Sequence, residues 1–387
     1  MVKHLRPVWA EINLDNLEFN MQQIRKISKS EEIIGVVKAD AYGHGALDIA
    51  PVLLENGATR LAVAVVTEGI ELRRGGIQCP IIVLGFTDPN FIPDLLKYDI
   101  EQTVFSYEYA KELSETAQKK HKIAKIHIAV DTGMGRIGFF PNQESAEEVY
   151  KISQLPNISI EGVFSHFSTA DEENKEYTYY QLENFNKFYG YLEQKGINIK
   201  KRHIANSAAI IDLPETHFEA VRPGIILYGY YPSKEIDKSK LELRPVMKLK
   251  TKIAHIKNIP SGHYISYGRK FKSSKESIIA TLPIGYADGY TRALFNKGKV
   301  IIKGQHAPVV GSICMDQCMI DITNISSEIK VGDEVVLMGK TDEVKFDADD
   351  IAEILGTINY EVICAISKRV PRVYIKDGEV VKIRNYV

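Results

Sequence analysis

The sharpest chemical signal in the sequence is a lysine at the end of an apolar run. Lys38 directly follows Ile33–Val37 and precedes the tight turn Tyr42–Gly45. Partial removal from water favours the neutral amine, and a neutral amine can attack an aldehyde to form a Schiff base. The alternative is a lysine whose stem lies along the strand while its ammonium reaches solvent. The phenol of Tyr42 and the glycines of the turn that follows Lys38 favour the interpretation in which the amine reacts.

Polar and glycine residues follow four further apolar runs. They are Asp131–Arg136, Ser165–Ser168, Asn206–Ala208 and Arg222–Ile225. Arg136 and Arg222 are fixed positive charges, although a single arginine more often pairs with a surface carboxylate. Ser207, with the backbone N–H groups of Gly224 and Ile225, suits an anion such as a phosphate. Ser207 could equally cap the helix that follows it.

Three other features have competing interpretations. Gly133–Gly138 matches G-x-G-x-x-G, but that dinucleotide fingerprint belongs to the first strand–helix turn of a doubly wound sheet, and here it follows the fifth strand. Cys314 and Cys318 lack a second nearby pair, which favours buried thiols over a zinc site. Tyr267 could act as a base beside a cation, although a half-buried strand tyrosine is the usual case.

The elements that must position these residues alternate between strands and helices. Eight apolar runs fall within the first 230 residues: Ile33–Val37, Leu61–Val66, Ile81–Leu84, Gln102–Phe105, Ile126–Val130, Ile158–Phe164, His203–Ala205 and Ala220–Val221. Eight such units match the (β/α)8 barrel of about 250 residues, in which catalytic groups follow the carboxyl ends of the strands. A doubly wound open sheet is the alternative, and the count of eight favours the barrel.

The pattern changes after Tyr230. Residues 232–245 carry two prolines and many charges, which indicates a linker. Short strands follow, with one helix, at Ser277–Leu282, Val300–Ile302, Pro308–Val310, Met319–Ile322, Glu334–Met338, Asp347–Leu355 (the helix) and Val380–Ile383. We therefore predict an α/β protein with a TIM-like (β/α)8 barrel at residues 11–238 and a mostly-β domain at 239–387, with residues 1–10 pairing with the second domain.

Composition excludes several classes of protein. The 387 residues include 49 Lys and Arg against 50 Asp and Glu, a net charge of −1. A near-neutral chain gives no electrostatic reason to expect a nucleic-acid partner or an anionic membrane surface. No apolar run approaches the roughly 20 residues of a bilayer span, and no apolar signal segment follows the first residues. Four cysteines favour a reducing compartment. We expect a cytoplasmic protein.

Taken together, the motifs resemble those of the alanine racemase family. They are Val36–Gly45, Asp131–Arg136, His203–Ala208, Arg222–Ile225, Tyr286–Tyr290, Cys314–Gln317 and Asn359–Glu361. The resemblance covers nearly the whole chain. It implies a pyridoxal 5'-phosphate enzyme of the barrel-plus-β-domain type, a homodimer with shared active sites and a small amino acid as substrate.

The resemblance also implies roles for individual residues. Lys38 is similar to the lysine that holds the coenzyme covalently and acts as one of two bases, and the partner subunit's Tyr267 to the second base. Arg222 resembles the residue that faces the pyridine nitrogen. His166 resembles the histidine that links this arginine to the tyrosine, and Arg136 the contact to the phenolic oxygen of the coenzyme.

Further contacts follow from the same resemblance. Those to the coenzyme, mostly around its phosphate, are implied for Tyr42, Asn206, Ser207, Gly224, Ile225 and Tyr360. Arg136, the backbone of the partner subunit's Met315 and Tyr286 resemble residues around the substrate. Many members carry a lysine modified by carbon dioxide that orients the arginine, whereas this chain has Ala129. Arg136 must therefore be supported differently, or not at all.

Racemisation itself explains this set of residues. One side chain cannot easily reach both faces of a planar carbanion, so two bases are needed, while the coenzyme delocalises the charge. An arginine at the ring nitrogen keeps its proton, which weakens the electron sink and restrains transamination. The alternatives are a racemase that prefers serine or another small amino acid, a pyridoxal-phosphate barrel decarboxylase, and a non-catalytic coenzyme carrier. A second domain with Tyr267 and Met315 argues against the carrier.

Overall fold

The computed structural model describes residues 6–199, 201–341 and 344–386. The chain forms two compact units. One comprises Leu17–Ala41 and Gly45–Arg244, and the other comprises the chain up to Asn16, Tyr42–His44 and the chain from Pro245 onward. Residues 1–5 of the segment predicted to pair with the second domain lie outside the described residues.

The first unit contains the predicted barrel. The chain begins with β1 (Val8–Asn13) of the other unit and α1 (Leu14–Ile27). The barrel strands are β2 (Glu32–Val36), β3 (Arg60–Val63), β4 (Ile81–Val83), β5 (Glu101–Val104), β6 (Ala124–Ala129), β7 (Ile158–Phe164), β8 (Arg202–His203) and β9 (Ala220–Val221). The helices between them are α2 (Ala46–Glu55), α3 (Val66–Arg74), α4 (Ile92–Lys97), α5 (Tyr107–Lys120), α6 (Gln143–Ser153), α7 (Glu176–Gln194) and α8 (Ser207–Asp212).

All neighbouring strand pairs of this sheet are parallel, in the order β8-β7-β6-β5-β4-β3-β2-β9. Just past the ends of β8 and β9, the backbone N–H of Arg222 donates to the carbonyl of Ala205 at 3.0 Å, which nearly closes the sheet on itself. The predicted eight-stranded barrel is therefore confirmed. Among the described helices, none combines the length and apolarity that a bilayer crossing needs.

The barrel interior is more polar than the sequence pattern predicts. Strands covered on both faces are usually apolar throughout, and β4 follows that rule, as does β2 after its first residue, Glu32. Arg60, Glu101, His127 and His203 on β3, β5, β6 and β8 are nevertheless buried. Buried ionisable groups require hydrogen-bond partners, and these four side chains supply them to one another.

The second unit is mostly β structure, as predicted. After β1 it contains β10 (Met247–Lys252), β11 (His255–Ile259), β12 (Tyr264–Ile265), β13 (Phe271–Lys272), β14 (Ser277–Leu282), β15 (Lys299–Ile302), β16 (Gln305–Pro308), β17 (Cys318–Asp321), β18 (Glu334–Thr341), β19 (Val344–Phe346), α9 (Ala348–Leu355), α10 (Asn359–Cys364), β20 (Arg372–Lys376) and β21 (Glu379–Arg384). The largest sheet runs β16-β15-β18-β10-β1-β20-β21, with β19 beside β18.

Within this sheet, β1 pairs antiparallel with β10 and parallel with β20. The strand predicted at Pro308–Val310 is wrong in position, because the ladder with β15 ends at Pro308. Beyond it, the N–H of Val310 donates instead to Met319 of β17 at 2.9 Å. The strand partner thus changes from β15 to β17 after Pro308. The apolar residues of this segment give no sign of that change.

The short segment Tyr42–His44 is held firmly inside the second unit. The guanidinium of buried Arg372 donates to the carbonyl of Gly43 at 2.9 Å and to three carbonyls of the loop before β20. The phenol of Tyr374 donates to the carbonyl of His44 at 3.0 Å. Gly43 has a φ of +82°, and a Cβ there would lie 2.7 Å from the carbonyl oxygen of Ile363. Glycine is therefore required at this position.

Candidate active site

The turn after β2 that presents Lys38 has an unusual backbone. Lys38 is half-buried, and Ala39, Asp40, Ala41 and Tyr42 have φ angles of 53°, 53°, 54° and 52°. This left-handed conformation costs about 1–2 kcal/mol for each residue with a side chain. Four such residues in succession persist only where the surroundings fix them, and such strain concentrates at functional sites.

Glu68 supplies much of that fixation. This third residue of α3 accepts hydrogen bonds from the N–H of Ala39 at 2.6 Å and from the N–H of Ala64 at 2.8 Å, one on each carboxylate oxygen. Asp40 accepts a hydrogen bond from the N–H of Ala46 at 2.8 Å. The carboxylate of Glu68 thus joins the lysine turn to the end of β3. The sequence analysis missed Glu68, although a glutamate at the third helical position after a strand is a known capping signal.

Arg222 lies deepest in the barrel mouth. Its guanidinium donates to the carbonyl of Ser165 at 2.7 Å, to Nδ1 of His203 at 2.9 Å and to Nδ1 of His166 at 3.3 Å. Among the described residues, no carboxylate contacts it. Burial, with a smaller effect of the Arg136 charge, lowers the pKa of Arg222 to about 9. The guanidinium is therefore still protonated at neutral pH.

The pKa of His166 reflects the positive charge of this region. Burial lowers its pKa to about 3, and the positive charges of Arg222, Arg136 and Lys38 add to the effect. His166 is consequently neutral at physiological pH, and because its Nδ1 accepts from Arg222, its proton lies on Nε2. The structure brings all four predicted residues together. Three cations around a neutral imidazole fit an anionic ligand, such as a coenzyme with a phosphate and a phenolate oxygen.

The predicted anion-binding loops also meet. The N-cap of α8 is Asn206, which accepts from the N–H of Ala209 at 3.1 Å. The next residue, Ser207, accepts from the N–H of Gly224 at 2.9 Å. Fully buried Ile225 opens the turn that follows Gly224. A hydrogen bond therefore joins the loops after β8 and β9, the last two strands of the barrel. The loops after these strands often form the phosphate site of a barrel enzyme.

Arg136 lies on an exposed loop after β6. The carboxylate of Asp131 accepts from the N–H groups of Gly133 and Gly135, both at 3.0 Å, and shapes the loop. The loop then returns to β6, so these glycines do not open a dinucleotide-binding helix. Ala129 is buried and uncharged. Within the part of the chain that the structure describes, no hydrogen bond or ion pair fixes the Arg136 side chain.

Three further predicted residues lie on adjoining loops of the second unit. The side chains of Tyr267, Met315 and Tyr286 are 67%, 52% and 40% exposed. The hydroxyl of Ser312 donates to the carbonyl of Tyr267 at 3.1 Å, and the N–H of Tyr286 donates to the carbonyl of Cys314 at 3.1 Å. Met315 directly follows Cys314. The segment from Ser312 to Met315 therefore carries Met315 and contacts the backbone of both tyrosines.

Tyr42 and Tyr360 form a pair in the same unit. Their ring centroids lie 6.1 Å apart. Tyr42 is buried, which raises the pKa of its phenol above its ordinary value. The phenol therefore stays protonated and can donate a hydrogen bond.

The cysteine motif has no metal-binding geometry. All four cysteines are free, and burial raises the pKa of the Cys318 thiol. Among the described residues, no group of three or more His, Cys, Asp or Glu side chains could hold a metal ion. Because its pKa is raised, the Cys318 thiol is protonated at neutral pH.

A nearly closed barrel with a lysine and a cluster of cations at the carboxyl ends of its strands is typical of a barrel enzyme with its site at that end. The family model described as "Alanine racemase, N-terminal domain" matches residues 12–232, and "Alanine racemase, C-terminal domain" matches residues 246–374. The chain belongs to the alanine racemase family.

Similar proteins cover the chain from end to end. An alanine racemase of Clostridium novyi is 73% identical over 387 residues, all of both chains. The structure of an alanine racemase from Clostridium difficile 630 has a TM-score of 0.96 at 50% identity and covers 100% of each chain. An alanine racemase from Bacillus anthracis, solved with bound L-Ala-P, has a TM-score of 0.94 at 39% identity and covers 100% of this chain and 99% of that one.

The first test concerns the turn that carries Lys38. We expect Glu68→Ala to lower the free energy of unfolding by about 2 kcal/mol, because it removes hydrogen bonds to a charged carboxylate. Glu71→Ala, an exposed glutamate one turn later on α3, is the matched control, and we expect its effect to stay within about 0.5 kcal/mol. Urea titrations followed by circular dichroism measure both. Equal losses would show that Glu68 does not hold the turn.

Proposed function

We propose that this chain interconverts L-alanine and D-alanine, with pyridoxal 5'-phosphate as coenzyme, Lys38 as one base and the partner subunit's Tyr267 as the other. The main support is the position of half-buried Lys38, which together with Arg222 and Arg136 surrounds the neutral imidazole of His166 with positive charge. Membership of the alanine racemase family supports the substrate. The alternative substrates are serine and other small amino acids.

The residues around the barrel mouth fit the coenzyme. We assign its covalent attachment to the amine of Lys38 and its phosphate to the loops that carry Asn206, Ser207, Gly224 and Ile225, in which the N–H of Gly224 already donates to Ser207. The buried, protonated phenol of Tyr42, with Tyr360 beside it, would donate to the same anion. When bound, the coenzyme supplies the electron sink that stabilises negative charge at the substrate Cα.

The chain itself supplies proton transfer and orientation. Lys38 removes or returns the Cα proton on one face of the substrate, and the partner subunit's Tyr267 does so on the other. Arg222 remains protonated despite its lowered pKa, so it donates to the pyridine nitrogen without transferring a proton to it. That restraint limits side reactions. Neutral His166 connects Arg222 to the phenol.

Substrate recognition requires positive charge and backbone donors near the carboxylate. We assign this role to Arg136 and to the backbone N–H of the partner subunit's Met315, with Tyr286 near the entrance. Ala129 leaves Arg136 without the modified lysine that many relatives use. Because the side chain is exposed, we propose that the bound anion, rather than a residue of its own chain, fixes its orientation.

The active unit that we propose is a homodimer with two shared sites. The exposure of Tyr267, Met315 and Tyr286 in a single chain supports this arrangement. We further propose a cytoplasmic enzyme, without nucleic-acid or membrane partners, that supplies D-alanine for peptidoglycan precursors. The net charge of −1 and the four free cysteines support the location.

Chiral chromatography of single amino acids incubated with the coenzyme-loaded protein tests the function. We expect alanine to be racemised fastest, and we expect Lys38→Ala to abolish the reaction. Lys119→Ala, an exposed lysine on α5, should leave it unchanged. Faster turnover of serine would reassign the substrate. Release of carbon dioxide without racemisation would indicate a decarboxylase, and no turnover of any amino acid would leave a carrier.

Mixed dimers test the shared site. We expect Lys38→Ala and Tyr267→Ala to be inactive alone and to regain activity when mixed, since each hybrid dimer keeps one intact site. With random exchange about half of the dimers are hybrids, so about a quarter of the sites are active. Tyr264→Ala, a nearby exposed tyrosine, should be active by itself. Hybrids that form, as native mass spectrometry would verify, but remain inactive would contradict a shared site.

A further inference from the structure

The barrel interior contains a continuous chain of buried ionisable side chains that the two-base reaction does not use. Arg222 contacts Nδ1 of His203 at 2.9 Å, Nε2 of His203 contacts Nδ1 of His127 at 3.0 Å, and Nε2 of His127 contacts Glu101 at 2.9 Å. Arg60 pairs with the same carboxylate oxygen. All five side chains are at most 4% exposed. This row of side chains crosses the barrel from Arg222 at the mouth to Arg60 on β3.

The hydrogen bonds between these side chains can run in only one direction. A guanidinium donates and cannot accept, so Nδ1 of His203 accepts and its proton lies on Nε2. That proton is donated to Nδ1 of His127, whose own proton must lie on Nε2. Nε2 of His127 then donates to Glu101. Both imidazoles are therefore neutral, and every bond points from the guanidinium of Arg222 to the carboxylate of Glu101.

The same path leads from the cation of Arg222 to an ionised carboxylate. A buried cation without a counter-ion is costly, and no carboxylate among the described residues contacts Arg222 directly. Burial raises the pKa of Glu101, but the hydrogen bond of His127 and the pairing with Arg60 outweigh it and hold the pKa at about 2. Burial lowers the pKa of His203 and of His127. The carboxylate is thus ionised while both imidazoles are neutral.

We propose that Glu101 is a positioning residue for Arg222, acting through His127 and His203. Its negative charge fixes the tautomer of both imidazoles and orients the guanidinium. The last step, toward the ring nitrogen of the coenzyme, rests on the proposed function. Arg60, which also lies 3.5 Å from Glu32, holds the carboxylate in place.

Glu101→Gln is the decisive variant, because glutamine keeps the shape but can either donate or accept. Nitrogen-15 NMR of histidine-labelled full chain, recorded at pH 7 with and without pyridoxal phosphate, reports each tautomer. In the wild type we expect His127 and His203 to carry their protons on Nε2. In Glu101→Gln we expect His203, two hydrogen bonds away, to lose its single tautomer. Glu219→Gln, which breaks the pair with Arg202, the residue before His203 on β8, should leave His203 with its single tautomer.

A second signal reports on the ligand side. With nitrogen-15 in the coenzyme ring, we expect the Glu101→Gln signal to move toward that of a pyridine without a hydrogen bond, while Glu219→Gln matches the wild type. An unchanged His203 spectrum in Glu101→Gln would overturn the proposal. If that variant does not fold, a wild-type His127 or His203 with its proton on Nδ1, or with two protons, overturns it equally. The histidine tautomers do not depend on turnover, so a failure of the racemase proposal remains distinguishable.

Discussion

The site depends on a buried guanidinium that has no carboxylate beside it. Arg222 is surrounded by carbonyl groups and neutral imidazoles, which satisfy its N–H groups without cancelling its charge. With Lys38 and Arg136 nearby, the mouth of the barrel is a region of positive potential. Such a region favours anions and neutral bases. The neutral state of His166 follows from this constraint, and the same positive potential would favour the phosphorylated coenzyme that we propose.

Strain and its compensation hold the reactive amine in place. The left-handed turn after Lys38 is costly in itself. The carboxylates of Glu68 and Asp40 fix it within the barrel unit, and Arg372 fixes its last residues within the other unit. These hydrogen bonds fix the backbone of the turn that follows the lysine.

Much of this arrangement could be predicted from the sequence. Most barrel strands lie in short, mainly apolar runs, as expected for parallel strands covered on both faces, so all eight could be located. Residues such as Lys38, Ser207 and Arg222 could be placed at the mouth because they directly follow those runs. The strands of the second unit were harder, since two-residue strands such as Tyr264–Ile265 carry no periodicity.

Other features could not be predicted, for physical reasons. Glu101 and His127 lie within strands, and their partners are on strands separated by many residues, so no local pattern reveals the chain that they form. The left-handed turn at 39–42 contains no glycine, the residue that usually signals this conformation. Glu68 occupies a capping position of α3, but its contact with the N–H of Ala39 joins residues 29 apart in sequence and has no local signature. The support that we propose for Arg136 is a bound group, which the local sequence cannot reveal.

Covalent trapping of the coenzyme tests the central claim most directly. The loaded enzyme would be reduced with borohydride and digested, and the lysine that carries the coenzyme would be identified by mass spectrometry. The geometry of the barrel mouth predicts that the coenzyme is found on Lys38 alone. A coenzyme fixed to any other lysine, or one that stays bound but cannot be trapped, would contradict the claim.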